Sequence, residues 1–402
     1  MSYQDQPCNI MGCLPMGASL EPGNLISFSI GVTTYQAMGG MTFSQWVSSA
    51  YNTDGFTLGT NSVIQNDSYV ALQSEEFARP SDVIVSGYTY KIREAYITFY
   101  MPDVIWITIT PHGLWEGVLQ YSEDAQTWNN ITAETEFSVG KTLHLRGINN
   151  TVVTGYTETQ NWYYNAGYVS PARSNYIIGN FETLLNYSAV LNGTHPTVGE
   201  RAFNTMFYNW SNSNLKWDVS DVVLPFNTAP YSSYAMFAYA NIISSPKMPA
   251  TTMSDYCYGS ALRSTNITTA PDLPATVLSS NCYRAMFRDC TALTATPSLS
   301  ATSVGDYCCR QMFRGCTSLN TITSLPATTL SSGCYQEMFY GCSNIKLSTS
   351  QTGAYQTAYR IPTIGTGTDD GDALSEMFTN TGGTFTGTPS INTTYYTSNS
   401  IL

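Results

Sequence analysis

Cys282-Tyr283-Arg284-Ala285-Met286-Phe287-Arg288-Asp289-Cys290 aligns without gaps to Cys308–Cys316 and again to Cys334–Cys342. The Met-Phe pair inside it recurs as Met286-Phe287, Met312-Phe313 and Met338-Phe339, a period of 26 residues. Degenerate copies carry Met206-Phe207, Met236-Phe237 and Ala261-Leu262, and an outlying one carries Met377-Phe378. A second block, Leu273-Pro274-Ala275-Thr276-Val277-Leu278, has counterparts at Met248–Met253, Leu299–Val304 and Leu325–Leu330. Ile242, Ile267, Leu293 and Leu319 each fall six residues before the Leu or Met that opens such a block. Chance does not hold this many positions in register over four copies, so the C-terminal half is a repeat array.

The spacing suggests the local structure. Pro and β-branched Thr in the second block suit an extended segment and disfavour a helix. Cys282, Met286 and Cys290 stand at i, i+4 and i+8 with Phe287 beside them, which predicts one face of a short helix. A unit of one strand and one short helix cannot bury its apolar side alone, whereas stacked copies bury a continuous core.

The pattern Leu-Pro-Ala-Thr-x-Leu followed by Cys-Tyr-x-x-Met-Phe-x-Gly-Cys-x-x-Leu resembles the BspA-type leucine-rich repeats of gut bacteria and their phages. The likeness extends to Tyr121–Trp128, Leu145–Asn150 and the tail Thr381–Tyr396, and so covers residues 115 to 402. It implies a surface protein that binds a host-cell glycan or protein. Among phage proteins it implies a virion fibre, spike or head decoration, assembled in the host cytoplasm. Such a protein would attach to other virion proteins through its N-terminal region, and a homotrimer is compatible with it. Copies before residue 257 depart from the Cys pattern.

The cysteine columns, Cys282, Cys308, Cys334 and Cys290, Cys316, Cys342, admit a metal or redox reading. No His accompanies them and no C-x-x-C spacing occurs. With Met286, Phe287, Met312, Phe313, Met338 and Phe339 they are expected to be structural core, small apolar groups filling one niche per coil. On the outside, Arg263, Arg288 and Arg314 form one column continued by Tyr340, and Arg284 and Arg310 form another. This places five of sixteen basic residues on one stripe. The stripe is either a solvated face or a docking site for an acidic glycan or protein patch.

Residues 21–97 show short strands at Leu25–Val32, Phe56–Leu58, Tyr69–Leu72, Asp82–Val85 and Tyr88–Ile92, and a short helix over Thr42–Ser49 capped by Thr42. Val104–Thr110 and Thr142–Arg146 alternate with period two, which suggests an immunoglobulin-like sandwich over residues 98–178. Ser122-x-Asp124-x-Gln126-x-Trp128 is similar to an Asp-box hairpin, a turn motif with Gln126 in place of Gly. The expected fold is therefore mainly β with short helices. Residues 1–20 are an N-terminal segment and 21–97 a small β or α+β anchoring module. The Ig-like sandwich spans 98–178, a leucine-rich-repeat-like solenoid 179–350, and a C-terminal cap 351–402.

Composition limits the function. Charged residues make up 11% and the formal charge is −12, which speaks against a generic nucleic-acid binder. No run of eighteen apolar residues suggests membrane insertion. Met1–Gln6 lacks the basic and apolar stretches of a signal peptide, which leaves a cytoplasmically assembled particle or a chain trimmed of its leader. His112, His144 and His195 are isolated in sequence, and no nucleophile elbow, zinc-helix motif, phosphate loop or dinucleotide fingerprint can be read. Gly365–Asp372 lacks the ligand spacing of an EF-hand. The expectation is a non-enzymatic virion surface protein without a cofactor. A bacterial cell-surface adhesin is the alternative, and a polysaccharide-degrading enzyme a third reading for which no residue set speaks.

Overall fold

The computed structural model describes residues 96–402, apart from 102–103, 125–126, 155–161, 169–173, 192–193 and 211–214, together with five strands between residues 25 and 91. Those strands are β1 (Leu25–Ile30), β2 (Thr33–Met38), β3 (Ala71–Leu72), β4 (Asp82–Val85) and β5 (Tyr88–Lys91). They form an antiparallel sheet in the order β2-β1-β4-β5-β3. The expected helix over Thr42–Ser49 and strand at Phe56–Leu58 lie outside the described residues.

Two further sheets follow. β6 (Ile97–Tyr100), β8 (Val118–Ser122), β9 (Asn129–Asn130), β11 (Thr142–Ile148), β13 (Asn175–Asn180) and β14 (Trp217–Val223) form one, in the order β14-β13-β6-β11-β8-β9. β7 (Val104–Thr110), β10 (Phe137–Val139) and β12 (Tyr163–Tyr168) form the other, in the order β10-β7-β12. Period-two alternation explains β7, where Ile107 and Ile109 are fully buried while Thr108 and Thr110 are partly exposed. The Asp124 motif is the β8–β9 turn. Its carboxylate accepts the Ser122 hydroxyl at 2.8 Å and the Thr127 N–H at 2.7 Å. The one α-helix among the described residues, α1 (Glu182–Leu191), is interrupted at Asn186. Asn180 caps it by accepting the Glu182 N–H at 2.9 Å.

The domain boundary expected at residue 178 falls inside β13. That strand pairs antiparallel with β6 and parallel with β14, and β14 bridges onward to Ile242 and Lys247 in the first repeats. Phe99 on β6 packs against Phe207 at 6.0 Å and Trp217 at 6.1 Å, so these sheets and the repeats share one core.

The repeat blocks differ from the sequence expectation: they are not helices. In Ser279–Cys290, the N–H groups of Cys282, Arg284, Met286, Arg288 and Cys290 each donate to the carbonyl three residues back. The alternate N–H groups, those of Asn281, Tyr283, Ala285, Phe287 and Asp289, donate instead to Asp306, Cys308, Arg310, Met312 and Arg314 of the next repeat. The block is a chain of overlapping turns with a left-handed residue at every fourth position: Asn281, Ala285 and Asp289, with φ of 57°, 52° and 61°. The same conformation returns in the blocks beginning at Arg201, Tyr231, Tyr256, Tyr307 and Gly333, and in a last one holding Glu376 and Asn380. Seven blocks therefore share it, four more than the three that carry the paired cysteines.

The physical reason is hydrogen-bond accounting. A nine-residue helix leaves four N–H and four C=O groups without partners at its ends. The turn chain gives half its donors to itself and half to its neighbour, and so meets the requirement that buried backbone groups be paired. It also sorts side chains in twos. Cys282-Tyr283 and Met286-Phe287 point inward, while Arg284 and Arg288-Asp289 are partly exposed.

Inward residues stack in columns. Phe287, Phe313, Phe339 and Phe378 lie 5.4, 5.6 and 5.5 Å apart with nearly parallel rings. At one end of the array Ala202 accepts the N–H groups of Val153 and Thr154, from the segment that follows β11. At the other, Leu347–Ser348, Thr357–Arg360 and Thr394–Thr397 form a small antiparallel sheet, and Ser400–Ile401 runs parallel to Thr321–Ile322. The cap thus engages residues before its expected start at 351.

Candidate recognition surface

The turn chain carries the expected arginine columns on its outer face, and one of the two is paired with carboxylates. The side chains of Arg263, Arg288 and Arg314 are 28%, 27% and 29% exposed, so the guanidinium groups lie along the surface. Arg288 Nε stands 3.3 Å from the Asp289 carboxylate and its Nη1 donates to Gln311 Oε1 at 3.0 Å. Arg263 reaches the same carboxylate at 4.0 Å. Arg314 pairs with Glu337 and lies over the Tyr340 ring at 4.2 Å, while the Tyr340 hydroxyl accepts Asn380 Nδ2 at 3.0 Å. This column is a self-neutralising ladder across four blocks.

The second column is different. Arg310 stands over Tyr307 at 5.5 Å and its Nε–H has no acceptor. Arg284 makes no ion pair or ring contact among the described residues. Of the sequence-expected stripe, these two retain guanidinium groups without a carboxylate.

Sequence reading missed the partners. Asp289, Gln311 and Glu337 all occupy left-handed positions, where Cβ points outward beside the arginines of the neighbouring block. It also missed a tyrosine face on earlier blocks. Tyr231 and Tyr256 stack at 4.5 Å with rings 6° apart, and the Arg201 guanidinium lies 4.2 Å over Tyr231.

The repeat cysteines lie in the core. Cys282, Cys290, Cys308, Cys316, Cys334 and Cys342 are all buried, as are Met286, Phe287, Met312, Phe313, Met338 and Phe339. Cys257 and Cys309 join them, and all eight are free thiols. Burial pushes the Cys290 thiol up to about 11 and those of Cys257 and Cys342 to about 12, which disfavours the thiolate that metal or redox chemistry needs. Among the described residues no group of three or more His, Cys, Asp or Glu is placed to hold a metal ion.

Two histidines that look isolated in sequence have acidic partners in space. His112 pairs with Glu134 at 2.6 Å, and His195 with the buried Glu182 at 2.8 Å. Glu182 also accepts the Phe226 N–H at 3.0 Å, which ties α1 to the repeats. His144 bonds Thr98 Oγ1 at 2.9 Å, and burial lowers its pKa to about 4. In the Gly365–Asp372 stretch, the Gly333 N–H donates to Asp372 at 2.9 Å and holds that carboxyl below the usual range, joining the loop to the neighbouring block.

No family model matches the chain, and neither the curated proteins nor the solved structures give a significant match. The described chain is a mainly β protein with one helix and several small sheets.

Proposed function

We propose that this chain is a non-enzymatic surface protein of a virion, a fibre, spike or head decoration, which presents a repeat solenoid for host-surface or glycan recognition. In this reading the N-terminal module attaches to other virion proteins and an immunoglobulin-like sandwich fused to the first coils acts as a spacer. The leucine-rich-repeat-like coils form the display surface. The observation that carries the reading is the division of labour within each turn block. Inner positions repeat Cys, Tyr, Met and Phe, while outer positions change from Tyr to Arg to Gln and Glu along the array. A scaffold that keeps its inside constant and varies its outside suits recognition along an extended face.

Two measurements test this. Immunogold labelling of purified particles, with an antibody raised against the full chain, should decorate their surface. The purified chain should bind intact host cells without releasing reducing sugar from their envelope. Unlabelled particles would overturn the virion assignment, and sustained sugar release would overturn the non-enzymatic one.

A further inference from the structure

Two recesses open on the first coils among the described residues. One, of about 570 Å³, opens between the extended segments of two successive repeats, residues 243–249 and 268–274. A second, of about 680 Å³, adjoins it, and both are lined by Ile243 and Thr268. Together they form one groove along the edge of the first coils.

Sequence explains why the groove is open. The two segments begin in register, with the Asn266 N–H donating to the Ile242 carbonyl at 2.9 Å. Beyond that point no backbone hydrogen bond joins 243–249 to 269–274 among the described residues. Pro246, Pro249, Pro271 and Pro274 all line the gap, and a proline has no N–H to give to a ladder. Only the Ser245 hydroxyl crosses it, donating to the Thr269 carbonyl at 2.6 Å. The prolines hold the two coils unzipped while the core beneath stays packed.

The walls define what the groove can hold. Lys216 lines one recess and Lys247 the other, and neither has a carboxylate within ion-pair distance among the described residues. Lys247 is fixed by backbone bonds from its N–H to Val222 and from Leu224 to its carbonyl, at 2.8 and 2.9 Å. Among the described residues Asp272 is the one acidic side chain lining either recess, and the Asp218 carboxylate lies behind the wall, accepting the Ser244 hydroxyl at 2.6 Å, in a chain of net charge −12. The Lys216 recess is also lined by Tyr239, whose ring carries the Arg263 guanidinium at 5.2 Å and meets Tyr208 at 5.4 Å, and by an amide pair, Asn266 Nδ2 donating to Asn241 Oδ1 at 2.9 Å. That bond leaves a donor on Asn241 and an acceptor on Asn266 for a ligand. An apolar floor, hydroxyl and amide walls and cationic ends complement a ring-shaped, hydroxyl-rich, negatively charged molecule.

We infer that this groove binds an anionic oligosaccharide, with Lys216 and Lys247 each meeting an acidic group and the Asn241–Asn266 pair meeting sugar hydroxyls. The inference rests on the recognition reading above and gives it a site and a ligand class. The surrounding walls also desolvate the Lys247 ammonium and lower its pKa, a penalty that a bound anion would relieve.

The test is a glycan array probed with the full chain, with carboxylated, sulfated and neutral oligosaccharides as its three arms. Wild type should bind one or both acidic arms and leave the neutral arm empty. Lys216→Gln and Lys247→Gln should each weaken that binding about tenfold or more, the loss of one charge-assisted contact. Lys346→Gln, an exposed lysine outside the groove, should leave it unchanged. Thermal unfolding of the three variants should match wild type. Binding confined to the neutral arm, no binding to any arm, or acidic binding indifferent to both groove lysines would overturn the inference. Cell attachment is scored in parallel. Attachment that survives both groove substitutions removes the groove and leaves the recognition reading standing, whereas a wild-type chain that attaches to no cell removes that reading itself.

Discussion

The thiol of Cys316 donates to the carbonyl oxygen of Phe287, one coil earlier, at 3.0 Å, and Cys290 to Leu262 and Cys342 to Phe313 repeat the bond at the same distance. In the coils flanking these three the same position holds Thr265 and Thr381, whose hydroxyls donate to Leu262 and Phe378 at 2.8 Å. The same column holds Ala240 and Trp210 in earlier coils, so thiol chemistry is not what the position selects. Thiol labelling at pH 8 followed by peptide mapping should leave Cys290, Cys316 and Cys342 unmodified in the native protein and fully modified after unfolding. Rapid native labelling of any of the three would contradict this. Cys316→Ala should cost roughly 1–2 kcal/mol through lost packing and a lost donor.

The phenylalanine column sets a second expectation. Phe313 is fully buried between Phe287 and Phe339. Phe313→Ala should lower stability by about 3–5 kcal/mol in denaturant titrations. Phe313→Leu should cost about 1–2 kcal/mol, because Leu262 already occupies the equivalent niche.

Left-handed positions make a third. Ala285 has φ of 52° and its N–H is held by the Arg310 carbonyl at 2.8 Å. Ala285→Val should cost about 2 kcal/mol or more, since a β-branched residue resists this conformation. Ala285→Gly should stay within about 1 kcal/mol of wild type, relief of strain offsetting a more flexible unfolded chain.

His144 gives the pH dependence. Folding lowers its pKa from 6.5 to about 4, so the folded protein binds fewer protons than the unfolded chain between those values. Its contribution is present above pH 6.5 and is lost as pH falls toward 4, up to about 3 kcal/mol. The difference in melting temperature between wild type and His144→Asn should narrow over that window. A constant difference would remove this attribution.

Binding to cells should depend on the unpaired column more than on the paired one. Arg284→Ser with Arg310→Ser should weaken attachment about severalfold, as expected for two partly exposed cations. Arg288→Ser should act mainly through the loss of its Asp289 and Gln311 partners. Equal effects on attachment from both columns would contradict the distinction.

The repeat, its core columns and the strands at Val104–Thr110 and Thr142–Arg146 were legible because burial imposes regular spacing on sequence. The turn chain was not, because i, i+4 and i+8 suit a period of four as well as one of 3.6 over nine residues. Gly315, Gly333, Gly341, Asn281 and Asp289 carried the discriminating signal, since Gly, Asn and Asp tolerate the left-handed region. Partners across coils, such as Glu337 for Arg314, could not be read, because residue type at the outer positions changes from coil to coil. The fusion of β13 to β14 is likewise a long-range pairing with no local signature.

Residue-resolved amide hydrogen exchange across Ser279–Cys290 tests the turn-chain architecture most directly. In a chain of turns bonded to its neighbour, Tyr283, Ala285, Phe287 and Asp289 should be as protected as Cys282, Met286 and Arg288, all exchanging together at the global unfolding rate. A block that is a short helix would instead show rapid exchange at its first four amides and protection only beyond them. That second pattern would contradict the account of how these coils are held together.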